Sequence, residues 1–244
     1  NEKTIDKGYL LSTRDLCSLE TLPQLVKSGV SSLKIEGRMK TPEYVATVTS
    51  IYRKYIDLAL SGNEYKVDEE DRKKLMQVFN RGGFSTGYIN GKLGKDMMYT
   101  KRPNHMGVFL GKVMSYNPNK GLVKIKIEED IDLGDSIRIN ESSCKTSELM
   151  RNNNNIKTAS NGEVVTIGRI KGKIKSGDKI YKTVSDKLNK DIIQFSSKEN
   201  VKRDIYAKIY LRENEQIKLE IEDLESKIKI TVEDETVVSK ADNN

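Results

Sequence analysis

The chain has 244 residues, a net charge of +7, 36% hydrophobic and 32% charged residues, and no tryptophan. No run of about 18 apolar residues occurs, which excludes a membrane-spanning helix, and the first residues lack the apolar stretch of a signal peptide. The two cysteines, Cys17 and Cys144, are too far apart to form a metal-type pair or a disulfide framework, so we expect a reduced, cytoplasmic setting. The positive charge suits a polyanionic partner such as RNA, although the lysines are spread along the chain.

The N-terminal quarter of the chain alternates between strand-like and helix-like patterns. Short apolar runs predict strands over residues 9–17 and 30–35, and apolar residues at helical spacing predict a helix over residues 18–28. A second helix is predicted to begin after the cap Thr41 and to stop at Gly62. This order is typical of a parallel sheet or of part of a barrel, which two such units alone cannot close.

Residues 66–105 are predicted to form a linker with one helix. An amphipathic pattern predicts that helix over residues 68–79. The dense glycines that follow favour turns; Gly82 and Gly83 offer an anion cradle, although they do not follow a strand in the order of a phosphate loop. His105, the only histidine, lies in a second polar turn, where a histidine is more often structural than catalytic.

The rest of the chain is dominated by alternating patterns. About six short strands between residues 106 and 183 predict a small closed β-barrel. Their spacing and the Gly-Asp turns at residues 134–135 and 177–178 resemble the barrel that forms the second domain of translation elongation factors, a docking module without chemistry of its own. Three strictly alternating segments after residue 204 predict the start of another β-rich unit.

Polar side chains at the ends of the two predicted N-terminal strands form the best candidate site. They are Arg14, Asp15 and Cys17 in the first strand and Lys34, Glu36 and Arg38 around the end of the second. Because sequential strands of a parallel sheet are often neighbours, both sets are expected to face one pocket. Arg38 suits a carboxylate or phosphate, and Glu36 can orient it or act as a base. The alternatives are that the charges are solvated turn residues and that Cys17 is a small buried hydrophobe.

Five motifs carry a family resemblance. They are residues 12–17 (Ser-Thr-Arg-Asp-Leu-Cys), 22–25 (Leu-Pro-Gln-Leu), 33–38 (Leu-Lys-Ile-Glu-Gly-Arg), 79–88 (Phe-Asn-Arg-Gly-Gly-Phe-Ser-Thr-Gly-Tyr) and 102–107 (Arg-Pro-Asn-His-Met-Gly). The first three motifs resemble the closing part of the collagenase-like peptidase domain, family U32, and the last two resemble the linker and barrel entry of the longer members of that family. The resemblance implies that the chain is the C-terminal part of a longer member, and that residues 1–60 are the last βα units of an incomplete TIM-like barrel. It also implies that Lys34, Glu36 and Arg38 line a pocket.

The resemblance further implies two kinds of chemistry. The family name implies proteolysis, but no Gly-x-Ser-x-Gly or His-Glu-x-x-His motif occurs, and nothing in the spacing supports a dyad of His105 with either cysteine. Several relatives act instead in the hydroxylation of RNA bases or quinones and hold an iron–sulfur cluster with four cysteines. Cys17 stands where the last of the four would be, so the other three are expected upstream and no cluster is expected from this segment alone.

The sequence therefore predicts an α+β, mainly β chain in four parts. These are residues 1–65 (terminal βα units), 66–105 (helix and glycine-rich linker), 106–190 (elongation-factor-type barrel) and 191–244 (start of a β-rich domain). We expect the intact protein to be an RNA-hydroxylation factor. The alternatives are a genuine peptidase, and a non-catalytic barrel that docks RNA or protein. An unpaired parallel sheet edge also predicts a homo-oligomer.

Overall fold

The structure is a computed structural model that describes residues 8–91, 94–196 and 203–240. These residues fall into two compact units, with the boundary between residues 196 and 197. Helices and strands occur together in the first unit, so the mixed α+β class predicted from the sequence is confirmed. Within the described ranges, no helix is both long enough and apolar enough to cross a membrane.

The first unit begins with a small helical layer. Its helices and its two short strands are α1 (Leu22–Lys27), α2 (Pro42–Leu60), α3 (Glu69–Val78), β1 (Asp15–Leu16) and β2 (Phe84–Ser85), and a further helix, α4 (Asp186–Ser196), closes the unit. Single 3₁₀ turns cover Leu19–Thr21 and Gly94–Met97. Strands β1 and β2 pair in parallel.

The predicted start of α2 is confirmed. The side chain of Thr41 caps the helix by accepting a hydrogen bond from the Tyr44 amide at 3.3 Å, and Pro42 takes the first helical position. On the buried face of α2, Tyr55 is 1% exposed and donates a hydrogen bond at 3.0 Å to the carboxylate of Asp71 on α3. This contact joins the two long helices of the layer.

The second part of the first unit is a curled antiparallel sheet of eight strands. Its strands and the two-stranded pair β5–β10 are β3 (Val108–Asn117), β4 (Leu122–Ile127), β5 (Ile131–Asp132), β6 (Ser136–Ile139), β7 (Ser142–Lys145), β8 (Leu149–Arg151), β9 (Asn154–Asn155), β10 (Thr158–Ala159), β11 (Val164–Ile167) and β12 (Lys179–Val184). The strand order is β7-β6-β12-β3-β4-β11-β8-β9. We call this sheet the half-barrel.

Period-two alternation explains the core of the half-barrel. Along β4, Val123, Ile125 and Ile127 are fully buried, whereas Lys124 and Lys126 between them are exposed. The inward residues of the other strands complete one apolar cluster: Leu110, Val113, Ile131, Ile137, Ile139, Leu149, Ala159, Val165, Ile167, Ile170 and Ile180.

Three predictions about strands are wrong. Residues 30–35 form no strand and are mostly exposed, and the strand predicted over residues 9–17 is reduced to the two residues of β1, which pairs with β2. Two neighbouring N-terminal strands were expected to leave an unpaired parallel sheet edge. Residues 30–35 do not form that edge, because the backbone groups of a strand need hydrogen-bond partners. The barrel is also not closed among the described residues, since the strand order runs as an open series from β7 to β9.

The second unit is an antiparallel sheet of three strands in the order β13-β14-β15, as the three alternating segments predict. The strands are β13 (Ile205–Tyr210), β14 (Gln216–Asp223) and β15 (Lys229–Val237). Their register aligns Ile209 with Leu219 and Val232 on one face. We call this sheet the three-stranded sheet.

Candidate functional site

A cavity of about 540 Å³ lies between β1, α2, α3 and the glycine-rich segment that contains β2. Its wall is largely apolar and aromatic, with Tyr44, Tyr52, Phe79 and Phe84 among the lining residues. Cavities of this size and lining are typical of sites for small ligands. Its polar lining includes three cations, two carboxylates and a thiol, which belong to Lys34, Lys40, Arg81, Asp15, Glu36 and Cys17.

The parallel pairing of β1 with β2 brings an ion pair to the cavity. Because Asp15 is aligned with Phe84, the segment before β2 runs beside β1. The Arg81 guanidinium donates from Nη2 to Asp15 Oδ1 at 2.8 Å and from Nε to Oδ2 at 3.3 Å, and the Arg81 amide donates to Oδ2 at 2.8 Å. This bidentate geometry holds both side chains in fixed positions at the cavity wall.

Lys40 is the second cation of the cavity. Its Nζ lies 2.9 Å from the centroid of the Phe79 ring, within the range of a cation–π contact. Burial lowers the pKa of Lys40, Asp15 partly opposes this, and the nearby Arg81 adds to it. With two carboxylates and three cations among the lining residues, the cavity has a net positive charge, which favours an anionic group on a ligand.

Cys17 lies in the same wall and is only 4% exposed. The Cys17 amide donates to the Ser85 carbonyl at 2.9 Å, so the β1–β2 pairing also fixes the position of the thiol. Next to it, the Tyr52 hydroxyl accepts a hydrogen bond from the Ser18 amide at 3.0 Å. Burial, and then the neighbouring Cys17, raise the pKa of Tyr52, so its hydroxyl stays protonated at neutral pH.

The structure brings two of the three predicted rim residues to this cavity. Lys34 and Glu36 line it, and their side chains form an ion pair at 2.9 Å with 86% and 68% exposure. Glu36 raises the pKa of Lys34, by a hydrogen bond and by its charge. An ion pair with this much exposure contributes little to stability. Arg38 is exposed and does not line the cavity.

His105 and the glycine pair Gly82 and Gly83, which the sequence offered as candidate functional groups, form hydrogen bonds within the fold instead. His105 Nδ1 accepts a hydrogen bond from the Asn80 amide at 3.0 Å, and Nε2 lies 3.1 Å from the Thr183 carbonyl oxygen. Burial lowers the pKa of His105, so the ring is neutral at neutral pH. The amides of Gly82 and Gly83 donate to Asn80 Oδ1 at 3.1 and 3.0 Å, so neither points to an external anion.

Sequence reasoning missed Lys40, Arg81 and the aromatic wall. Tyr44 and Tyr52 are eight residues apart on α2, and this spacing places two aromatic side chains with polar ends on one helix face. That signal was available in the sequence. The contact of Arg81 with Asp15 spans 66 residues, and no local pattern predicts it.

The sequence model of peptidase family U32 matches residues 1–99 of the chain. An uncharacterized protease of Methanocaldococcus jannaschii is 31% identical over 183 residues, which cover 71% of this chain and 44% of the relative. A collagenase of Porphyromonas gingivalis is 28% identical over 190 residues, which cover 74% of this chain and 45% of the relative. The tRNA hydroxylation protein P1 of Bacillus subtilis is 32% identical over 135 residues, which cover 54% of this chain and 32% of the relative.

Among solved structures, the bacterial selenocysteine-specific elongation factor is similar with a TM-score of 0.26 and 12% identity, over 54% of this chain and 23% of that chain. The chain spans less than half the length of each of the three relatives described above.

Proposed function

Because the chain is a member of peptidase family U32, we propose that it acts in the hydroxylation of a base in tRNA or rRNA. The cavity beside Cys17 would then receive the nucleotide. The observation that carries this proposal is the composition of the cavity wall: aromatic rings together with three cations, Lys34, Lys40 and Arg81, against the two carboxylates of Asp15 and Glu36. Aromatic surfaces accept bases, and cations accept the phosphates attached to them.

The names of relatives support two activities. The tRNA hydroxylation protein P1 supports action on RNA. The relatives named as a protease and a collagenase align over a larger share of the chain and favour a peptidase as the second candidate. A peptidase needs an activated nucleophile or a metal-bound water. In the described ranges, both ring nitrogens of His105 contact backbone groups, and no group of three His, Cys, Asp or Glu residues is placed to hold a metal ion. The RNA proposal is preferred because of the aromatic and cationic wall of the cavity.

We extend the proposal to an iron–sulfur cluster in the complete protein, for which Cys17 supplies one thiolate ligand. Such clusters are held by cysteine thiolates and supply electron transfer. Cys17 fits this role because its side chain lines a cavity with room for more than a solvent molecule. The other cysteine of the sequence, Cys144, packs against the half-barrel core, so the remaining ligands would come from outside this sequence.

The finer fold assignments are part of the same proposal. We propose that residues 1–65, of which the structure describes 8–65, are terminal βα units of a TIM-like barrel in the complete protein, and that the half-barrel is of the elongation-factor type. Action on tRNA or rRNA also places the protein in the cytoplasm. In this arrangement Lys34 and Glu36 lie at the cavity mouth, where they contact substrate rather than stabilise the fold.

The test is a deletion strain whose tRNA and rRNA nucleosides are measured by mass spectrometry. We expect one hydroxylated nucleoside to disappear and the full-length gene to restore it. Lys40→Met removes one cavity cation but keeps the apolar stem, and should restore the nucleoside at least tenfold less well. Lys66→Met, the same change at an exposed position outside the cavity, should restore it fully.

Two further measurements separate the alternatives. Purified anaerobically, the full-length protein should contain iron and sulfide, and Cys17→Ser should lower both. An unchanged nucleoside profile in the deletion strain, combined with cleavage of gelatin by the purified protein, would establish the peptidase activity instead.

A further inference from the structure

The outer face of the half-barrel carries a row of lysines on three neighbouring strands. In the register, Lys179 of β12 is aligned with Lys112 of β3, and Lys112 is aligned in turn with Lys126 of β4. All three side chains are exposed. Lys124 lies two residues from Lys126 and faces the same way. We call these four residues the lysine row.

Like charges directly opposite each other on paired strands destabilise a sheet. None of the four lysines forms an ion pair with a described carboxylate, although the next lysine of β12, Lys182, lies 4.0 Å from Asp135. Glu128 follows directly after β4, and it forms no ion pair with the described side chains of the row. Neighbouring strands lie about 4.8 Å apart, so the row concentrates positive charge over about 10 Å.

The half-barrel as a whole also carries a positive charge. Residues 106–184 contain fourteen Lys and Arg against nine Asp and Glu, an excess of five. The aromatic pair Phe109 and Tyr181, with ring centroids 5.7 Å apart, lies beside the row on the same face and is half-buried. A line of uncompensated cations beside aromatic rings is complementary to a chain of phosphates.

We propose that the lysine row is a binding surface for the sugar–phosphate backbone of RNA. This inference rests on the proposed action on RNA, and it adds a backbone contact on the half-barrel to the nucleotide contact proposed for the cavity. The lysines contact phosphates and carry no base specificity, so the row holds the RNA while the choice of base is made elsewhere. The sheet keeps the repulsive row because bound phosphates neutralise it.

The experiment measures binding of the 244-residue chain to an unmodified tRNA transcript between 50 and 200 mM salt, by fluorescence anisotropy. The triple variant Lys112→Gln, Lys126→Gln, Lys179→Gln should bind at least tenfold more weakly at 100 mM salt. Loss of three phosphate contacts should also lower the slope of log K against log salt by about 2 to 3.

Matched variants decide whether position or charge matters. A control triple variant removes the same charge at exposed positions outside the row and should weaken binding less than threefold. It is Lys120→Gln, Lys157→Gln, Lys187→Gln. The triple Lys→Arg variant of the row should retain binding. Thermal unfolding should show no loss of stability in the row variant, because a repulsion has been removed.

Equal losses of tRNA affinity in the row variant and the control variant would overturn the proposal, as would an unchanged affinity in the row variant. Selective binding of a protein partner, with no competition by tRNA, would overturn it in favour of a protein-docking surface. The proposed hydroxylation can fail separately: an unaltered nucleoside profile in the deletion strain, alongside row-dependent tRNA binding, would remove that activity and leave this surface in place.

Discussion

The half-barrel and the three-stranded sheet share the same alternating sequence pattern but bury it to very different degrees. In the half-barrel, inward residues such as Ile125 and Ile137 are 0% exposed. In the three-stranded sheet, Ile230 and Val232 are aligned on one face in the same way, yet they are 55% and 52% exposed. An eight-stranded sheet that curls covers its own inner face, whereas the described residues of the second unit place no second layer against the three strands. Alternation therefore predicts which residues share a face, but not whether that face is buried.

The largest effect expected from this difference is the loss of stability when a core side chain is truncated. Ile125→Ala should destabilise the first unit by about 3 kcal/mol, because it removes buried methyl groups and leaves a cavity. Ile230→Ala, the matched change in the three-stranded sheet, should cost less than about 1 kcal/mol because its side chain is already half in water. Hydrogen exchange followed by mass spectrometry reads the two sheets separately in one protein.

If Ile230→Ala lowered exchange protection in the three-stranded sheet as much as Ile125→Ala lowers it in the half-barrel, the difference between the two sheets would be contradicted. It would mean that the apolar face containing Ile230 is covered in solution. Thr231→Ala, on the opposite face of β15, is the control, and it should change protection by less than Ile230→Ala if that face is covered.

Local patterns were sufficient for the elements whose partners are close in sequence. The cap Thr41, the helix α3 and the three C-terminal strands were all predicted, because each depends on a 3.6 or a 2.0 period and on nearby turn residues. The strand predicted over residues 30–35 was wrong for a physical reason. Its apolar residues satisfy the pattern, but the β1 strand pairs instead with β2, about 70 residues further along.

Local sequence patterns also predicted only part of the candidate site. Cys17, Lys34 and Glu36 were predicted to face one pocket, and the structure places all three in the wall of one cavity. The cation that pairs with Asp15 was not predicted, since Arg81 reaches it only through the β1–β2 register. Residues that belong to the site through distant pairing have no local signal in a single sequence.

Acid should affect the two sheets with opposite sign. In the three-stranded sheet, a hydrogen bond at 2.7 Å from Arg203 and two from the amides of Glu225 and Ser226 hold the pKa of Asp223 well below its usual range. In the first unit, Asp135 is 0% exposed, and burial raises its pKa although two amides donate to it.

A depressed carboxyl pKa contributes stability that is present above the unfolded value of about 3.9 and lost as pH falls towards the folded value. A raised carboxyl pKa contributes stability that is fully present below about 3.9 and lost as pH rises through the folded value. Acidification from pH 5 to pH 2 should therefore weaken the Asp223 contribution and strengthen the Asp135 contribution.

The measurement is exchange protection of β14 and β6 amides across that pH range, corrected for intrinsic rates. Asp223→Asn should flatten the profile of the three-stranded sheet and leave β6 unchanged. Glu235→Gln, the same loss of charge on the exposed strand β15, is the control and should leave the profile intact. Identical profiles for wild type and Asp223→Asn would contradict the assignment.

The smallest expected effect concerns how the two sheets make their turns. The β3–β4 turn of the half-barrel places Gly121 at a φ of +64°, whereas the β14–β15 turn places Lys227, a residue with a side chain, at +58°. A left-handed conformation costs a non-glycine residue about 1 kcal/mol, so Lys227→Gly should stabilise the three-stranded sheet by about 0.5 kcal/mol after the added chain entropy is counted. Glu225→Gly, in the same turn but at negative φ, should destabilise it instead. If exchange protection of β14 and β15 fell in both variants, the contacts of Asp223 rather than the residue type at 227 would determine the turn.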